Sequence, residues 1–493
     1  MGSISLHAAG QPKIAVIGAG PATVYLLYHL HMLALSDVEL DIFEASSQVG
    51  CGHAFSHETS FPGLLSNLHP DDIPPLLLDF GEWNHTCGDH RNYPLLTVLP
   101  RALVGKFLEA NFNALIEILW QRNVRVTVHL DNPVTRISES EKGCQLQTGG
   151  VWYIGYRAIV NNAGLTNSMS QSPYPLKPAC LTGKSHYTIF GSSLTAVDSI
   201  LTIAHLNGYF TDNSKQVIYS PHREYTIKVL SPSGVFPSLW YPSSHQARIM
   251  AFMKSKLPAK FEHFEALYEA VCEPAFAHYC PQVYKQIASM KFKQALAFLT
   301  NTSSQCDAKR KLQCELVAYS RAKHDQYWHW HWQEILDAFL SLVETLYANV
   351  AYAWHSEFKD FPHSLVAKAL GALPLENAYK LWALLESEVL RVERGCFIPP
   401  SRSQDSSDTF TIDCRGISPP PLKQRTPRLP PLSEGSLTSH EHLYVGSPHQ
   451  RSHHAALPGL DVCDRLNRQI ASKLVKTFDS NTPHLSLMNI KNV

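Results

Sequence analysis

The sequence predicts an α/β fold with two parallel-sheet domains and a mainly helical insertion. Three observations predict this fold class. A short β-branched strand runs into a glycine turn and an apolar helix near residues 13–35, and a similar succession follows near 186–206. From about 257 to 392 the pattern changes to long segments of helical period with few glycines. The length of 493 residues suits two or three domains.

The composition excludes several classes of protein. Hydrophobic residues make up 44% of the chain, which provides real cores and excludes wholesale disorder. Lys plus Arg and Asp plus Glu both number 42, so the formal charge is zero and a dedicated nucleic-acid or membrane-surface binder is disfavoured. No apolar run reaches the roughly 18 residues of a membrane span, and residues 1–6 carry no secretory signal. We therefore expect a cytoplasmic protein without a nucleic-acid or membrane partner; oligomeric state leaves no signal.

The cysteines argue against thiol redox chemistry and against a metal site. There are eleven of them, and no two stand three residues apart. A Cys-x-x-Cys redox pair and a zinc ribbon are therefore both missing from the sequence. An odd number of scattered cysteines is typical of reduced, mostly structural thiols. A dithiol reductase is disfavoured.

The first motif is the most informative segment of the chain. Residues 13–17 form an expected buried strand, and they lead into the turn at 18–23. An apolar helix follows over 24–35, and a second strand over 39–43 ends at Glu44. Strand, glycine turn, helix, strand and terminal acid together make the fingerprint of a dinucleotide-binding Rossmann unit.

Each position of this fingerprint has a physical task. Gly18 permits the tight turn, and Gly20 lets the backbone approach a pyrophosphate, which the helix N-terminus attracts through its unpaired N–H groups. Glu44 can accept hydrogen bonds from ribose hydroxyls. The third position is Thr23 instead of Gly or Ala, which departs from the pattern. The sequence predicts a bound dinucleotide at this turn.

A second motif starts with a strand over 186–190. Gly191 is its one turn glycine, and the motif continues through 192–198 into a helix that reaches about residue 206. Another strand is expected over 216–220, followed by Arg223, whose guanidinium matches the 2′-phosphate of NADP. The alternative is that Arg223 is a surface residue of a purely structural domain. Arg394 and Lys256 are expected on solvated faces.

The remaining segments complete the domain organisation. We expect an irregular Ser/Pro-rich stretch over 399–431 that contains a strand at 409–416, and a final helix over 462–478. The predicted division is: first nucleotide-binding domain 1–180, second 181–255, helical insertion 256–397, Ser/Pro-rich loop with a returning strand 398–440, and the C-terminal part of the first domain 441–493.

These motifs together resemble the FAD/NAD(P)-binding oxidoreductase family, which is related to flavin-dependent N-hydroxylating monooxygenases. The resemblance is carried by the two turns, the segments at 50–52 and 100–105, and the strand that ends at Ala163-Gly164. It implies a glutathione-reductase-like FAD domain and a second domain for NADP. The residues that it places against FAD are Gly18, Gly20, Pro21, Ala22, Glu44, Arg101, Gly164 and Gly446. Those that it places against NADPH are Gly191, Ser192, Ser193 and Thr195.

The same resemblance implies an NADPH-using monooxygenase in which a flavin hydroperoxide oxidises a small amine-bearing metabolite or another soft nucleophile. Its partners would be that small molecule and molecular oxygen. His53 is the candidate base and Asn67 the candidate amide that holds the nicotinamide or an oxygen; both also suit ordinary structural roles. Two other functions stay open. One is a flavin oxidase or dehydrogenase with a non-functional nicotinamide site, and the other a non-catalytic nucleotide-binding protein.

Overall fold

A computed structural model describes most of the chain. The described residues are 11–56, 61–87, 98–140, 143–164, 176, 178–213, 216–241, 245–261, 263–300, 307–324, 331–350, 361–371, 373–395, 408–415, 423–424, 438–440, 442–447 and 459–478. Most of the Ser/Pro-rich stretch expected over 399–431 therefore lies outside them.

Strands and helices are interspersed along the chain. The strands are β1 Lys13–Ile17, β2 Glu39–Phe43, β3 Arg125–His129, β4 Val134–Ser140, β5 Gly143–Thr148, β6 Val151–Asn161, β7 His186–Phe190, β8 Gly208–Asp212, β9 Val217–Pro221, β10 Thr226–Ser231, β11 Leu390–Arg394, β12 Thr409–Asp413, β13 Lys423–Gln424, β14 Thr438–His440 and β15 Leu443–Val445. The helices are α1 Pro21–Met32, α2 Gly52–Phe55, α3 Phe80–Thr86, α4 Arg101–Trp120, α5 Pro178–Leu181, α6 Leu194–Asn207, α7 Gln246–Ser255, α8 Phe264–Leu267, α9 Glu273–Tyr279, α10 Pro281–Ile287, α11 Phe292–Leu299, α12 Ala308–His324, α13 Trp332–Val350, α14 His363–Leu370, α15 Leu375–Glu386 and α16 Leu460–Phe478.

The first sheet has a parallel half and an antiparallel half that share strand β6. The parallel half has the order β15-β6-β1-β2-β3. The amino-terminal part of β6 pairs antiparallel with β5, which pairs antiparallel with β4. At the margins, β13 pairs with β4 and β14 pairs with β15. The long strand β6 thus belongs both to the parallel sheet and to a three-stranded antiparallel layer.

The residues of β1 alternate between two cores, as the period of a strand requires. Ile14 and Val16 pack with α1, α4 and α16 on one face of the sheet. Ala15 and Ile17 face the antiparallel layer on the other side. Both faces are therefore covered, which explains why β1 is a continuous apolar run. The C-terminal helix α16 belongs to this domain, where Asp464 lies 2.6 Å from the ring of His29 on α1.

The second sheet is fully parallel, with the order β11-β10-β7-β12. Helix α6 packs its apolar face on it, and α12 and α15 contribute to the same core. One of its strands, at residues 390–394, falls within the segment predicted as a helical insertion. The strand at 409–413 agrees with the strand expected at 409–416 and pairs with β7.

The strand expected over 216–220 is present, but its partner differs from that of a standard Rossmann unit. It forms an antiparallel hairpin with β8 outside the parallel sheet. The strand that continues the sheet after α6 is β10 instead.

The helical insertion begins at α7 and forms a core of its own. Buried side chains from α7 to α11, α13 and α14 make up this core. Among the residues described, none of the helices is both long enough and apolar enough to cross a membrane. The predicted fold class, two Rossmann-like domains with a helical insertion, is confirmed.

Candidate nucleotide-binding sites

The first turn lies at the carboxyl edge of the first sheet. Gly18 has a φ of +90°, which a residue with a side chain rarely adopts. A Cβ at this position would lie 2.8 Å from the carbonyl oxygen of Asn162, just after β6. The Gly18 N–H donates to the carbonyl of Phe43, the last residue of β2, at 2.7 Å. The glycine is therefore required by both backbone conformation and space.

The second turn repeats this arrangement in the second sheet. Gly191 has a φ of +101°, and a Cβ there would lie 2.7 Å from the carbonyl oxygen of Cys414. Its N–H donates to the carbonyl of Leu230 at 2.8 Å. Cys414 N–H donates to the carbonyl of Phe190, as Asn162 N–H does to the carbonyl that ends β1. The two turns are therefore structurally equivalent, with β1, β2 and β6 matching β7, β10 and β12.

The two helices that follow the turns begin in the same way. The residue before α1 is Gly20 and the residue before α6 is Ser193, and both have extended backbone conformations. Neither helix start is capped by a side-chain hydrogen bond, although Ser193 carries a hydroxyl. Pro21 also stands in the first turn of α1, where a missing N–H costs nothing. Such helix N-termini attract phosphate groups.

The glycine-containing segment at 50–52 packs against the first turn. The N–H of Gly50 donates to the carbonyl of Ala19 at 2.6 Å. A Cβ on Gly20 would lie in ordinary contact with the backbone of Gly52, at 3.5 Å from its Cα. Gly105 on α4 has no room for a Cβ, because the carbonyl oxygen of Phe55 occupies that place. The segment at 50–52 is therefore held directly against the first turn.

Glu44 follows β2 at the same edge of the sheet. Its Oε2 accepts the N–H of Ala19 at 2.7 Å, and its Oε1 accepts the N–H and the hydroxyl of Ser46, each at 2.9 Å. A carboxylate offers about four lone-pair positions. Glu44 is thus fixed beside the turn, with acceptor capacity left for a ribose hydroxyl.

The departure at Thr23 has a structural explanation. Its side chain is fully buried, and its hydroxyl donates to the carbonyl of Gly18 at 2.6 Å. The same hydroxyl accepts a hydrogen bond from Asn162 Nδ2 at 3.1 Å. The threonine therefore ties helix α1 to the ends of β1 and β6, where a glycine would only allow close approach.

The ends of β6 and β15 supply a further indication of a ligand. Asn162 Nδ2 is used within the protein, but its buried Oδ1 has no partner among the described residues. Gly446 lies against this amide, and a Cβ there would collide with Asn162 and with Asn467. Among the described residues, no atom lies within 4 Å of the place that a Cβ on Gly164 would take. Glycine turns, a fixed acid and an unsatisfied acceptor at one edge fit an extended dinucleotide such as FAD.

Arg101 forms a contact that the sequence does not predict. Its Nε lies 3.0 Å from Oδ2 of Asp198 on α6, and both side chains are buried, at 10% and 4% exposed. The guanidinium also lies 6.0 Å from the centre of the Phe55 ring. Arg101 thus joins the start of α4 in the first domain to α6 in the second. The contact between Arg101 and FAD that the sequence analysis expects stays a prediction.

The two candidate catalytic residues follow the first motif in the chain and differ in exposure. His53 is exposed on the short helix α2, directly after Gly52. Asn67 is half-buried and follows Ser66, whose hydroxyl donates to the carbonyl of Leu99. Their catalytic roles stay predictions.

The second turn is tied to the helical insertion by Lys368 on α14. Its ammonium donates to the carbonyl oxygen of Ser192 at 2.9 Å, to Ser192 Oγ at 2.7 Å and to the carbonyl of Val235 at 2.7 Å. Burial, with a smaller effect of Lys311, lowers the pKa of Lys368 to about 7. The Ser192 hydroxyl is buried and faces the protein. Ser193 and Thr195, in contrast, are half-buried at the helix start.

Arg223 does not lie with the other second-site residues. Its guanidinium donates to Asn207 Oδ1, at 2.9 and 3.0 Å, and to the carbonyl of Lys184. Lys184 precedes β7, so this is the amino edge of the sheet, opposite Gly191. Arg223 is expected at the carboxyl edge if 216–220 is a strand of the parallel sheet. In the structure β9 pairs with β8 in a hairpin instead. The 2′-phosphate role proposed for Arg223 is not supported by this position, which favours the structural alternative.

Two contacts between domains leave little trace in the sequence. Asp198 stands inside the second motif, yet no local pattern connects it with Arg101. Lys368 is a single lysine within the apolar run of α14, and this is the one signal that marks it as unusual.

Comparison with known proteins adds the cofactor class. A family model described as FAD-NAD(P)-binding matches residues 15–160. This match confirms the cofactor class expected for the first motif, a dinucleotide of the FAD/NAD(P) type. The uncharacterized protein YdhS of Escherichia coli strain K12 is 25% identical over 255 residues. The match covers 46% of this chain, which spans about half the length of that curated relative.

Two solved structures are similar over most of the chain. L-lysine 6-monooxygenase from Pseudomonas syringae is 13% identical, with a TM-score of 0.43 over 94% of this chain and 99% of that one. OTEMO, in its complex with FAD and NADP, is 10% identical, with a TM-score of 0.46 over 96% of this chain and 86% of that one.

Proposed function

We propose that this protein is an FAD-dependent, NADPH-using monooxygenase that oxidises a small amine-bearing metabolite or another soft nucleophile. The observation that carries the proposal is the equivalence of two glycine turns, at Gly18 and Gly191, in two parallel sheets of one chain. Each turn leads into a helix without a side-chain cap. Two such turns suit two dinucleotides, one retained and one exchanged.

Different parts of the chain bind the cofactor, fix the orientation of the domains and exclude water. When bound, FAD supplies the redox chemistry, taking electrons from the nicotinamide and passing them to oxygen. The turn at Gly18 and the carboxylate of Glu44 bind and orient that cofactor. The Arg101–Asp198 contact fixes the two domains relative to each other, and the helical insertion forms the proposed substrate wall that keeps water out.

His53 is the proposed proton acceptor for the substrate amine. An ammonium has to lose its proton before its nitrogen can act as a nucleophile. His53 follows Gly52, whose Cα lies 3.5 Å from the place of a Cβ on Gly20. The imidazole thus stands on the segment that packs against the first turn. Asn67 is proposed to hold the nicotinamide or an oxygen through its amide.

The test is anaerobic reduction followed by mixing with oxygen. The purified protein should carry a visible flavin, and NADPH should bleach it faster than NADH does. Oxygen should then give an oxygenated amine, with little hydrogen peroxide when the right amine is present. Hydrogen peroxide alone with every amine, or a colourless protein that ignores added FAD, would contradict the proposal.

A matched pair of variants tests the role of His53. His53→Ala should lower amine oxidation by about 100-fold or more, while flavin content and the rate of reduction by NADPH stay unchanged. His85→Ala removes another exposed histidine of the same domain, on α3, and should have no effect. Equal activity of both variants would remove His53 from the mechanism.

One observation favours a second candidate, a flavin oxidase or dehydrogenase. The carbonyl and hydroxyl of Ser192 are both engaged by Lys368, so the second turn is tightly held from inside. A turn held in this way also suits a purely structural domain. In that case the flavin is reduced quickly by its own substrate and equally slowly by NADPH and NADH.

A further inference from the structure

Because the two turns are equivalent, the position of Glu44 in the first domain has an equivalent in the second domain. Glu44 directly follows Phe43, whose carbonyl accepts the Gly18 N–H. Leu230 accepts the Gly191 N–H in the same way, and the residue that follows it is Ser231. Where the first domain has an acid for a ribose hydroxyl, the second therefore has a neutral serine.

The hydroxyl of Ser231 is buried and already engaged. It accepts the Ser192 hydroxyl at 2.8 Å and the N–H of Gly234 at 3.0 Å. It thus shapes the turn at 231–234. An acid at this position of a Rossmann unit selects NAD through the 2′-hydroxyl, and a nearby arginine accommodates the 2′-phosphate of NADP.

Arg394 lies beside this turn. It is the last residue of β11, and the ladder between β10 and β11 places it opposite Ser231. Its Nε donates to the carbonyl of Pro232 at 3.2 Å. Gly234 has a φ of +63°, and a Cβ there would lie 2.9 Å from the Cβ of Arg394. The arginine therefore packs directly on the turn at 231–234, at the carboxyl edge of the sheet.

The first domain shows the contrast. His129 pairs with Phe43, so the equivalent of Arg394 there is Leu130. At these matched positions the charge thus differs between the domains: the first has Glu44 and Leu130, and the second has Ser231 and Arg394. The neighbouring acid Glu393 forms an ion pair with Lys228 at 2.8 Å.

We propose that Arg394, together with the turn at 231–234, binds the 2′-phosphate of NADPH. A guanidinium matches phosphate geometry and forms charge-assisted hydrogen bonds with it. This inference rests on the proposed function, because it assumes that the second domain binds a nicotinamide dinucleotide. It transfers the selectivity for NADP from Arg223 to the opposite edge of the sheet.

Binding measurements under anaerobic conditions test the inference without catalytic turnover. Titration calorimetry of the full chain should show tighter binding of 2′,5′-ADP than of 5′-AMP, and of NADPH than of NADH. Arg394→Gln should weaken 2′,5′-ADP and NADPH by about 10- to 100-fold, the loss expected for one charge-assisted contact. NADH and 5′-AMP should bind that variant as they bind the wild type.

Two further variants guard the interpretation. Arg391→Gln removes the same charge from an exposed position of the same strand and should leave all four affinities unchanged. Arg394→Lys should give an intermediate loss for NADPH. A preference for NADPH that survives Arg394→Gln in a folded variant would overturn the inference alone. Binding of neither dinucleotide to the wild type would overturn the NADPH-dependent function, and the inference with it.

Discussion

The buried ion pair between Arg101 and Asp198 allows a prediction with a defined magnitude. The charged atoms lie 3.0 Å apart, and the side chains are only 10% and 4% exposed. Arg101→Met would leave the Asp198 carboxylate buried without this cation, and such losses cost about 3 to 5 kcal/mol. For a domain of this size that corresponds to a fall in melting temperature of roughly 10 °C.

The double variant separates the two roles open to Arg101. Because Asp198→Asn removes the stranded charge, we expect Arg101→Met/Asp198→Asn to recover about 2 kcal/mol or more of the loss. Thermal melting and flavin content are measured on the wild type, both single variants and the double variant. Lys106→Met, an exposed lysine on the same helix, is the control and should melt as the wild type does.

The stability and flavin content of the double variant decide between the two roles of Arg101. If Arg101 acts through the ion pair, the double variant regains both stability and flavin. A double variant no more stable than Arg101→Met would show that the two side chains are not coupled. Recovered stability without flavin would instead place the arginine in the FAD site, as the sequence resemblance implied.

Two other predictions concern the turns. Because burial lowers the pKa of Lys368 to about 7 from 10.5, the unfolded chain holds a proton between these values that the folded chain has lost. The unfolding free energy of the wild type relative to Lys368→Met should therefore rise with pH above 7, by up to about 1.4 kcal/mol per unit. Melting curves of both proteins from neutral to alkaline pH measure this, and a constant or falling difference contradicts it. Gly18→Ala combines a φ of +90° with a Cβ 2.8 Å from Asn162, so we expect a loss of about 2 kcal/mol or more and less bound flavin. Gly63 has a φ of +94°, and no described atom lies within 4 Å of a Cβ there, so Gly63→Ala measures the backbone strain alone. An equal loss of stability in both variants would remove the steric argument.

The first nucleotide-binding unit was predictable because its signals are local. A β-branched strand, a glycine with positive φ and a following helix lie within about 20 residues of chain. Gly191 identified the second turn for the same reason, even without further glycines. The fold class and the cofactor class followed from these two segments.

The parts that sequence could not predict depend on distant partners. The residues of β9 have strand character, but nothing in five residues states whether they join a sheet or a hairpin. The position expected for Arg223 depends on a strand in the parallel sheet and therefore differs from the one in the structure. Arg101 and Asp198, or Lys368 and Ser192, meet only after separate domains have packed, so no spacing in the sequence records their contact.

The late strands of both sheets have a consequence for biosynthesis of the chain. β12 at 409–413 completes the second sheet beside β7, and β15 at 443–445 completes the first beside β6. Neither sheet is complete until its late strand has been synthesised. The helices of the insertion, which have a separate core, precede both of these strands in the chain and are synthesised before them. During elongation the emerging polypeptide therefore carries two unpaired sheet edges until these late strands have been synthesised, and a chaperone would have to shield those edges.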